Sequence, residues 1–276
     1  GLKRGKELVA DNALTYSLQN ESADIYAANI RMMNGSYEFD VMIKDNVLEN
    51  VKLNMGGMHC VANAIAAITV ASSLEIENEY FNAAVESFKG VKRRFEYVIK
   101  NDRLVFIDDY AHHPEELRAL INGAKTLFKQ KKCTVIFQPH LYSRTRDLAD
   151  GFAEVLGLAD EVILLPIYPA RELPIEGVSS EMILEKMNME RKKVMTSEEL
   201  MKWMRSDFSK TLNKEFGEII ITAGAGDIDM IVEPIKNELK DINFIFIELP
   251  KFRKELNDCK TLTDKWIYFI KNAENL

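Results

Sequence analysis

Along the first fifty residues, apolar and polar side chains alternate with a period of two. "SYEFDVMI" (residues 36–43) and "VLENVKLNM" (47–55) are set off by the turn residues "NGS" and "KDN", and the pattern predicts an antiparallel meander within residues 7–54. The period then changes. "HCVANAIAAITVASSL", His59 to Leu74, carries small and apolar residues on a helical spacing after the flexible "MGGM", and "ENEYFNAAVESF" (77–88) reads as a second helix. Two short strand patterns flank the turn residues Lys100 to Asp102.

Beyond Phe95 the pattern alternates in a regular way. Strands are predicted at 104–107, "CTVIFQP" (133–139), "EVILLPI" (161–167), "KVM" (193–195) and "GEIIITAG" (217–224). Between and after them lie helices at 114–128, 144–157, 180–187, 197–206 and 227–240. Unbroken apolar strands separated by amphipathic helices predict an α/β fold, a mostly parallel sheet with helices on both faces. In such a sheet the ligand site lies at the C-terminal ends of the strands. The last stretch, "DINFIFIELPKFRKELNDCKTLTDKWIYFIKNAENL", opens a new strand-like run, "INFIFIEL", and then turns aromatic and helical, as an addition to a finished domain.

Composition narrows the classes. With 276 residues, 47% of them hydrophobic, the chain has material for one large or two medium domains. A net charge of −7 gives no broad footprint for nucleic acid. No apolar run approaches the roughly 20 residues a membrane span needs. Cys60, Cys133 and Cys259 have neither metal nor disulfide spacing, so a cytoplasmic location is expected and no metal ligands are assigned. The chain starts with Gly rather than Met, as a fragment would.

Chemistry gathers at the strand ends. "DDYAHHPEE" (108–116) follows the first parallel strand; Pro114, Glu115 and Glu116 suit a helix start, whereas Asp109, Tyr110, His112 and His113 are polar groups where open sheets bind ligands. "FQPHLYSRTRD" (137–147) puts His140, Arg144 and Arg146 at the next strand end, where a guanidinium and helix amides attract a carboxylate. "PIYPARELPIEGVSS" (166–180) adds Tyr168, Arg171 and Glu172. "KRRF" (92–95) reads equally as a solvated hinge or as an arginine directed at phosphate. "TAGAGDID" (222–229) lacks the third glycine of a dinucleotide fingerprint and reads as a tight turn. His59 beside Cys60 is too little for a metal site.

In their order and spacing, "MGGMHCVANAIAAI", "FKGVKRRFE", "DDYAHHPEE", "FQPHLYSRTRD", "PIYPARELPIEGV" and "TAGAGDID" resemble the Mur ligase family over about residues 1–240. The resemblance implies the end of a central ATPase domain (1–92), a Rossmann-like amino-acid-binding domain (93–240) and an extra tail (241–276). It also implies ATP-dependent, Mg2+-assisted ligation of L-alanine to UDP-N-acetylmuramate through an acyl phosphate in cytoplasmic peptidoglycan synthesis. His59, Asn63, Arg94, Asp109 and Tyr110 would then meet the nucleotide, with Arg94 at the phosphates and Asp109 at the ribose. Cys60 stands where the family has an asparagine against adenine. His112 and His113 would be catalytic, and His140, Arg144, Tyr168 and Arg171 would receive L-alanine. No counterpart of the UDP-sugar domain or of a "GTHGKT" P-loop appears in the chain, so the resemblance implies a fragment whose partner is the missing N-terminal half. The alternative is a noncatalytic binding module. The tail, "FIFIELPKFRKELNDCKTLTDKWIYFIKN", is similar to a segment of PD-(D/E)xK nuclease family transposases, without their acidic cluster; its plainer reading is a capping or partner-binding helix.

Overall fold

The computed structural model describes residues 13–44, 46–240 and 254–272. The chain forms two compact units, the first ending at Leu239 and the second starting at Lys240.

The first unit opens with a four-stranded sheet in the order β1 (Tyr16–Ser17), β2 (Ile25–Met33), β3 (Ser36–Ile43), β4 (Asn46–Leu53). In β3 the alternation is visible as burial: Tyr37, Phe39, Val41 and Ile43 face inward and Glu38, Asp40 and Met42 outward. The inner face packs on α1 (Met58–Ser73) through Cys60, Val61, Ile65 and Ile68. Helix α2 (Glu79–Ser87) lies against β4 and adds Phe81 to this core. One departure from the predicted meander is β1, which pairs with β2 in parallel. Period-two patterning specifies which face is buried, not strand direction.

The second sheet has the order β5 (Glu96–Lys100), β6 (Leu104–Asp109), β10 (Glu218–Ala223), β7 (Lys132–Phe137), β8 (Glu161–Leu164), β9 (Lys192–Val194). Only β5, at one edge, is antiparallel. Strands β6, β7, β8 and β10 are buried along their full lengths, as expected of strands covered on both faces. The helices between them are α3 (Pro114–Leu127), α4 (Tyr142–Leu156), α5 (Ser180–Lys186) and α6 (Ser197–Ser206). A short α7 (Phe208–Thr211), absent from the sequence reading, buries Phe208. The helix expected at 227–240 begins as a 3-10 turn, Asp227–Ile231, because the Gln138 side chain accepts the Ile228 amide; regular α8 runs Val232–Lys240.

The two sheets meet at the linker. The Tyr97 hydroxyl and Lys100 Nζ both donate to Gly35 O, at 2.7 and 3.1 Å. The Phe95 ring lies so close to Gly56 that an added Cβ would stand 1.9 Å from it. Thus "MGGM" serves close approach as well as flexibility.

The second unit is described by α9 (Leu262–Asn272), which exposes Leu262, Trp266, Phe269 and Ile270. The strand-like "INFIFIEL" lies outside the described residues. Among the described residues no helix is long and apolar enough to cross a membrane.

An ionic cluster occupies the N-terminal ends of β7, β8 and β10. Lys132 Nζ lies 2.7 Å from Glu161 and 3.8 Å from Glu218. Glu218 is fully buried, accepts the Asn213 amide at 2.6 Å, and keeps Oε2 without a partner. Burial pushes its carboxyl up to about 7, against the pull of Lys132. A carboxyl raised in the folded state stabilises below its ordinary value, and that contribution is lost as pH rises through the folded value. Buried Asp108 and Asp109 are raised too, so the informative quantity is a difference between proteins. Glu218→Gln should gain stability over wild type, by on the order of 3 kcal/mol, between about pH 4.5 and just above 7. Denaturation midpoints that stay parallel across this window would show that Glu218 does not ionise there.

Candidate functional site

The predicted residues come from the C-terminal ends of β6, β7 and β8, from the linker and from α1. They form two connected parts.

The first is a cavity of about 590 Å3 whose walls are largely apolar, among them Leu53, Met55, Val85, Phe88 and Val91. His59, Cys60 and Asn63 from α1 and Arg94 from the linker supply its polar atoms. Burial drives the Cys60 thiol up to about 11, so it lines the cavity as a neutral, weakly polar group. The helical spacing of His59 and Asn63, four residues apart, turns both toward this space.

The second part is a row of rings. Tyr110 has the Arg93 guanidinium 5.0 Å and the Arg94 guanidinium 5.7 Å from its ring centre. His112 meets Tyr110 edge-on at 5.4 Å and His140 at 6.2 Å, and His140 stacks on Tyr168 at 5.7 Å. Backbone bonds hold the stack: Leu141 N donates to Tyr168 O and Tyr168 N to Pro139 O. Arg144, one turn into α4, lies 3.5 Å from His140 Nδ1 and has no carboxylate partner among the described residues. Burial, then the charges of Arg144 and His112, hold His140 below the usual imidazole range, leaving it neutral at pH 7. Arg94 joins the parts, since it lines the cavity and covers Tyr110.

Several residues take other places than the sequence indicates. Asp109 is 9% exposed and turns inward, accepting Phe95 N and Ala111 N at 2.7 Å each. Burial raises its carboxyl and these amides partly offset the rise. It shapes two loops and offers little surface to a ribose. His113 is the N-cap of α3, in a capping box with Glu116, so its ring serves the helix. Arg171 is exposed and makes no bond to the ring row. The α4 N-terminus, expected to help hold a carboxylate, is already served by Glu172, which accepts both the amide and the hydroxyl of Ser143. That leaves Arg144 as the uncommitted donor.

The sequence also missed Arg93, whose guanidinium bonds to Gly224 O at 2.5 Å, and Gln138, which ties Asp227 and Ile228 to the end of β7. The tandem arginines of "KRRF" signalled a cation there, without saying which one faces which domain.

Comparison with known proteins gives these parts a context. Residues 93–226 match the family described as Mur ligase, glutamate ligase domain, and residues 3–71 match the Mur ligase middle domain. The UDP-N-acetylmuramate–L-alanine ligase of Flavobacterium johnsoniae is 41% identical over 222 residues, covering 80% of this chain and 48% of that protein. That of Christiangramia forsetii is 44% identical over 220 residues, covering 80% and 47%. The solved UDP-N-acetylmuramate–alanine ligase of Thermotoga maritima superposes with a TM-score of 0.64 at 26% identity, covering 83% of this chain and 48% of that one. The MurF ligase of Thermotoga maritima, solved in complex with ADP, shares the fold at 19% identity and a TM-score of 0.59, covering 83% and 49%. The chain spans about half the length of the curated relatives it matches.

The capping role of His113 has a direct check. His113→Ala should cost about 1 kcal/mol of stability, and His113→Asn, another N-cap residue, should recover most of it. Equal melting temperatures for His113→Ala and wild type would return His113 to the list of residues free to act on a ligand.

Proposed function

The chain belongs to the Mur ligase family across residues 3–71 and 93–226, and on that premise we propose that it supplies the nucleotide-base pocket and the amino-acid site of an ATP-dependent UDP-N-acetylmuramate–L-alanine ligase. The observation that carries this reading is the continuity of the two parts: Arg94 faces the 590 Å3 cavity and covers Tyr110, and the ring row from Tyr110 ends at Arg144.

The cavity fits the base end of ATP. Its apolar walls accept the faces of a purine, and the Asn63 amide offers a donor and an acceptor to the base edge. Arg94 is its cation toward the phosphates. Among the described residues no group of three or more His, Cys, Asp or Glu side chains is arranged to hold a metal ion.

At the other end, the L-alanine carboxylate pairs with Arg144 and its ammonium group faces the neutral His140 and the His112 ring. Proximity is the contribution of this half: it sets an amine beside the end of a nucleotide-activated carboxylate. In the bond-forming step the ammonium first loses a proton to solvent; the freed amine nitrogen bonds to the acyl phosphate carbon of UDP-N-acetylmuramate, the C–O bond to phosphate breaks with its electron pair leaving on inorganic phosphate, and the nitrogen gives up a second proton to become the amide. The transposase likeness of the tail adds no activity to this reading.

The remaining half of the ligase is the proposed partner, whether it lies upstream on the same polypeptide or on another. Helix α1 contains no Asp, Glu, Lys or Arg over its 16 residues, an unusual composition for a helix with a solvent-facing side. Its inner face has the meander; its outer face, Ala62, Ala66, Val70 and Leu74, leaves Val70 59% and Leu74 69% exposed.

Mixing the chain with the N-terminal half of the Flavobacterium johnsoniae ligase should give phosphate release that depends on L-alanine. Arg144→Ala should then raise the alanine KM by about 10- to 100-fold, as expected for a charge-assisted bond of about 1.5–3 kcal/mol. Phosphate release with an unchanged alanine KM would remove Arg144 from the site, and no release with a demonstrable complex would favour the noncatalytic module.

The outer face of α1 has its own test. Val70→Glu should abolish that complex in sedimentation while shifting the melting temperature of the isolated chain by no more than a few degrees. A complex that survives the substitution would place the partner elsewhere.

A further inference from the structure

Two adjacent arginines in the linker share the Tyr110 ring but have different further contacts. Arg94 faces the cavity. Arg93 reaches the ends of two parallel strands: Nη2 donates to Gly224 O at 2.5 Å, Nε lies 3.4 Å from the Asp108 carboxylate, and Nη1 lies 3.7 Å from Asp229. Asp108, 2% exposed, is itself fixed by the Thr222 hydroxyl at 2.7 Å. The backbone of Arg93 is equally committed, because its amide donates to Glu96 and its carbonyl accepts Tyr110 N at 2.8 Å. Its φ is +57°, and that of Phe95 is +50°. Residues other than glycine rarely adopt this left-handed region, so the surrounding bonds hold the linker in a form it would not take alone. "TAGAGDID", which fits no dinucleotide fingerprint, acquires a use: Gly224 and Asp229 are two of the three groups on Arg93.

We propose that Arg93 is a positioning residue that fixes Arg94 toward the cavity, so that grip on a nucleotide's phosphates depends on the docking of the linker onto the ends of β6 and β10. The inference rests on the reading of Arg94 as the phosphate-facing cation. A guanidinium suits position 93 because it bonds Gly224 O while Nε and Nη1 stay within ion-pair range of the Asp108 and Asp229 carboxylates, Nε without a hydrogen-bond partner among the described residues, and a planar fork spans these groups together where the single nitrogen of lysine reaches one. If Arg93 acted only through its charge, lysine would replace it.

The experiment compares ADP with adenosine on the full chain by calorimetry, since the ratio of the two affinities isolates the phosphate contribution from the base contribution. Wild type should prefer ADP, and Arg94→Ala should remove the preference. Arg93→Lys and Arg93→Gln should each cut the preference about 5- to 10-fold with adenosine affinity unchanged, and Asp229→Asn, at a half-exposed carboxylate that threatens no core, should cut it by a smaller factor. An Arg93→Lys protein that keeps the full ADP preference overturns the proposal, and so does a parallel loss of both ligands in all three variants, which is the mark of a merely structural role. A wild type that binds adenosine without preferring ADP overturns the reading of Arg94 itself, and the positioning role with it. A wild type that binds neither ligand overturns the reading of the cavity as a nucleotide site, and the positioning role that rests on it.

Discussion

Asp109 closes β6 with both carboxylate oxygens turned to backbone amides, one from the linker at Phe95 and one from the strand-end loop at Ala111. Burying a carboxylate is costly unless its lone pairs are met, and here the two amides meet them while tying the linker to the strand-end loop, beside the bond from Tyr110 N to Arg93 O. The linker end of this arrangement places Arg93, Arg94 and Phe95. The loop end places Tyr110 and His112, and through His113 starts α3. Removing that carboxylate would loosen the reference that cavity and ring row share.

Phe95 carries the same constraint into packing. Its ring belongs to the core of the six-stranded sheet, yet it presses on Gly56 in the turn between β4 and α1, where any larger residue would collide with it. The turn between β2 and β3 adds a second attachment, since Gly35 O accepts from both Tyr97 and Lys100. The linker is therefore not a tether between two separate bodies. Its aromatic residues are shared core, and its charged residues are exposed or half-buried at the ligand end.

Much of this was legible in the sequence, for reasons that also explain what was not. Apolar runs such as "LVFI" and "EVIL" announced strands buried on both faces, and Pro114 with the following glutamates announced the start of α3, because those signals are local. Strand order is not local: nothing in "GEIIITAG" says that β10 inserts between β6 and β7. Arg93 and Arg94 are indistinguishable as letters, and the positive φ values that send them apart arise from tertiary bonds. Asp109 was read as a ligand contact because acids at strand ends often are; its inward turn depends on the Phe95 amide, fourteen residues away. Glu172 caps α4 from a loop 29 residues downstream of Ser143, a relation no helix-start rule contains.

The second sheet divides its labour by strand end. Lys132, Glu161 and Glu218 sit at the first positions of three parallel strands, and the ring row and Gly224 sit just past the last, about 17–20 Å away along a six-residue strand. At that separation, beyond the roughly 10 Å Debye length of 0.1 M salt, distance and solvent screening weaken the coupling between the two sets of charges. Ionisation of Glu218 can alter how firmly the domain folds without altering which way Arg144 or Arg94 points. The ligand end, in turn, can keep an arginine without a carboxylate partner, a neutral histidine and two strained linker residues, because the stability that offsets them comes from unbroken apolar strands between the two ends. On the proposed reading, a ligand carboxylate arriving at Arg144 would complete an ion pair the fold has left half-made, without breaking one that the fold requires.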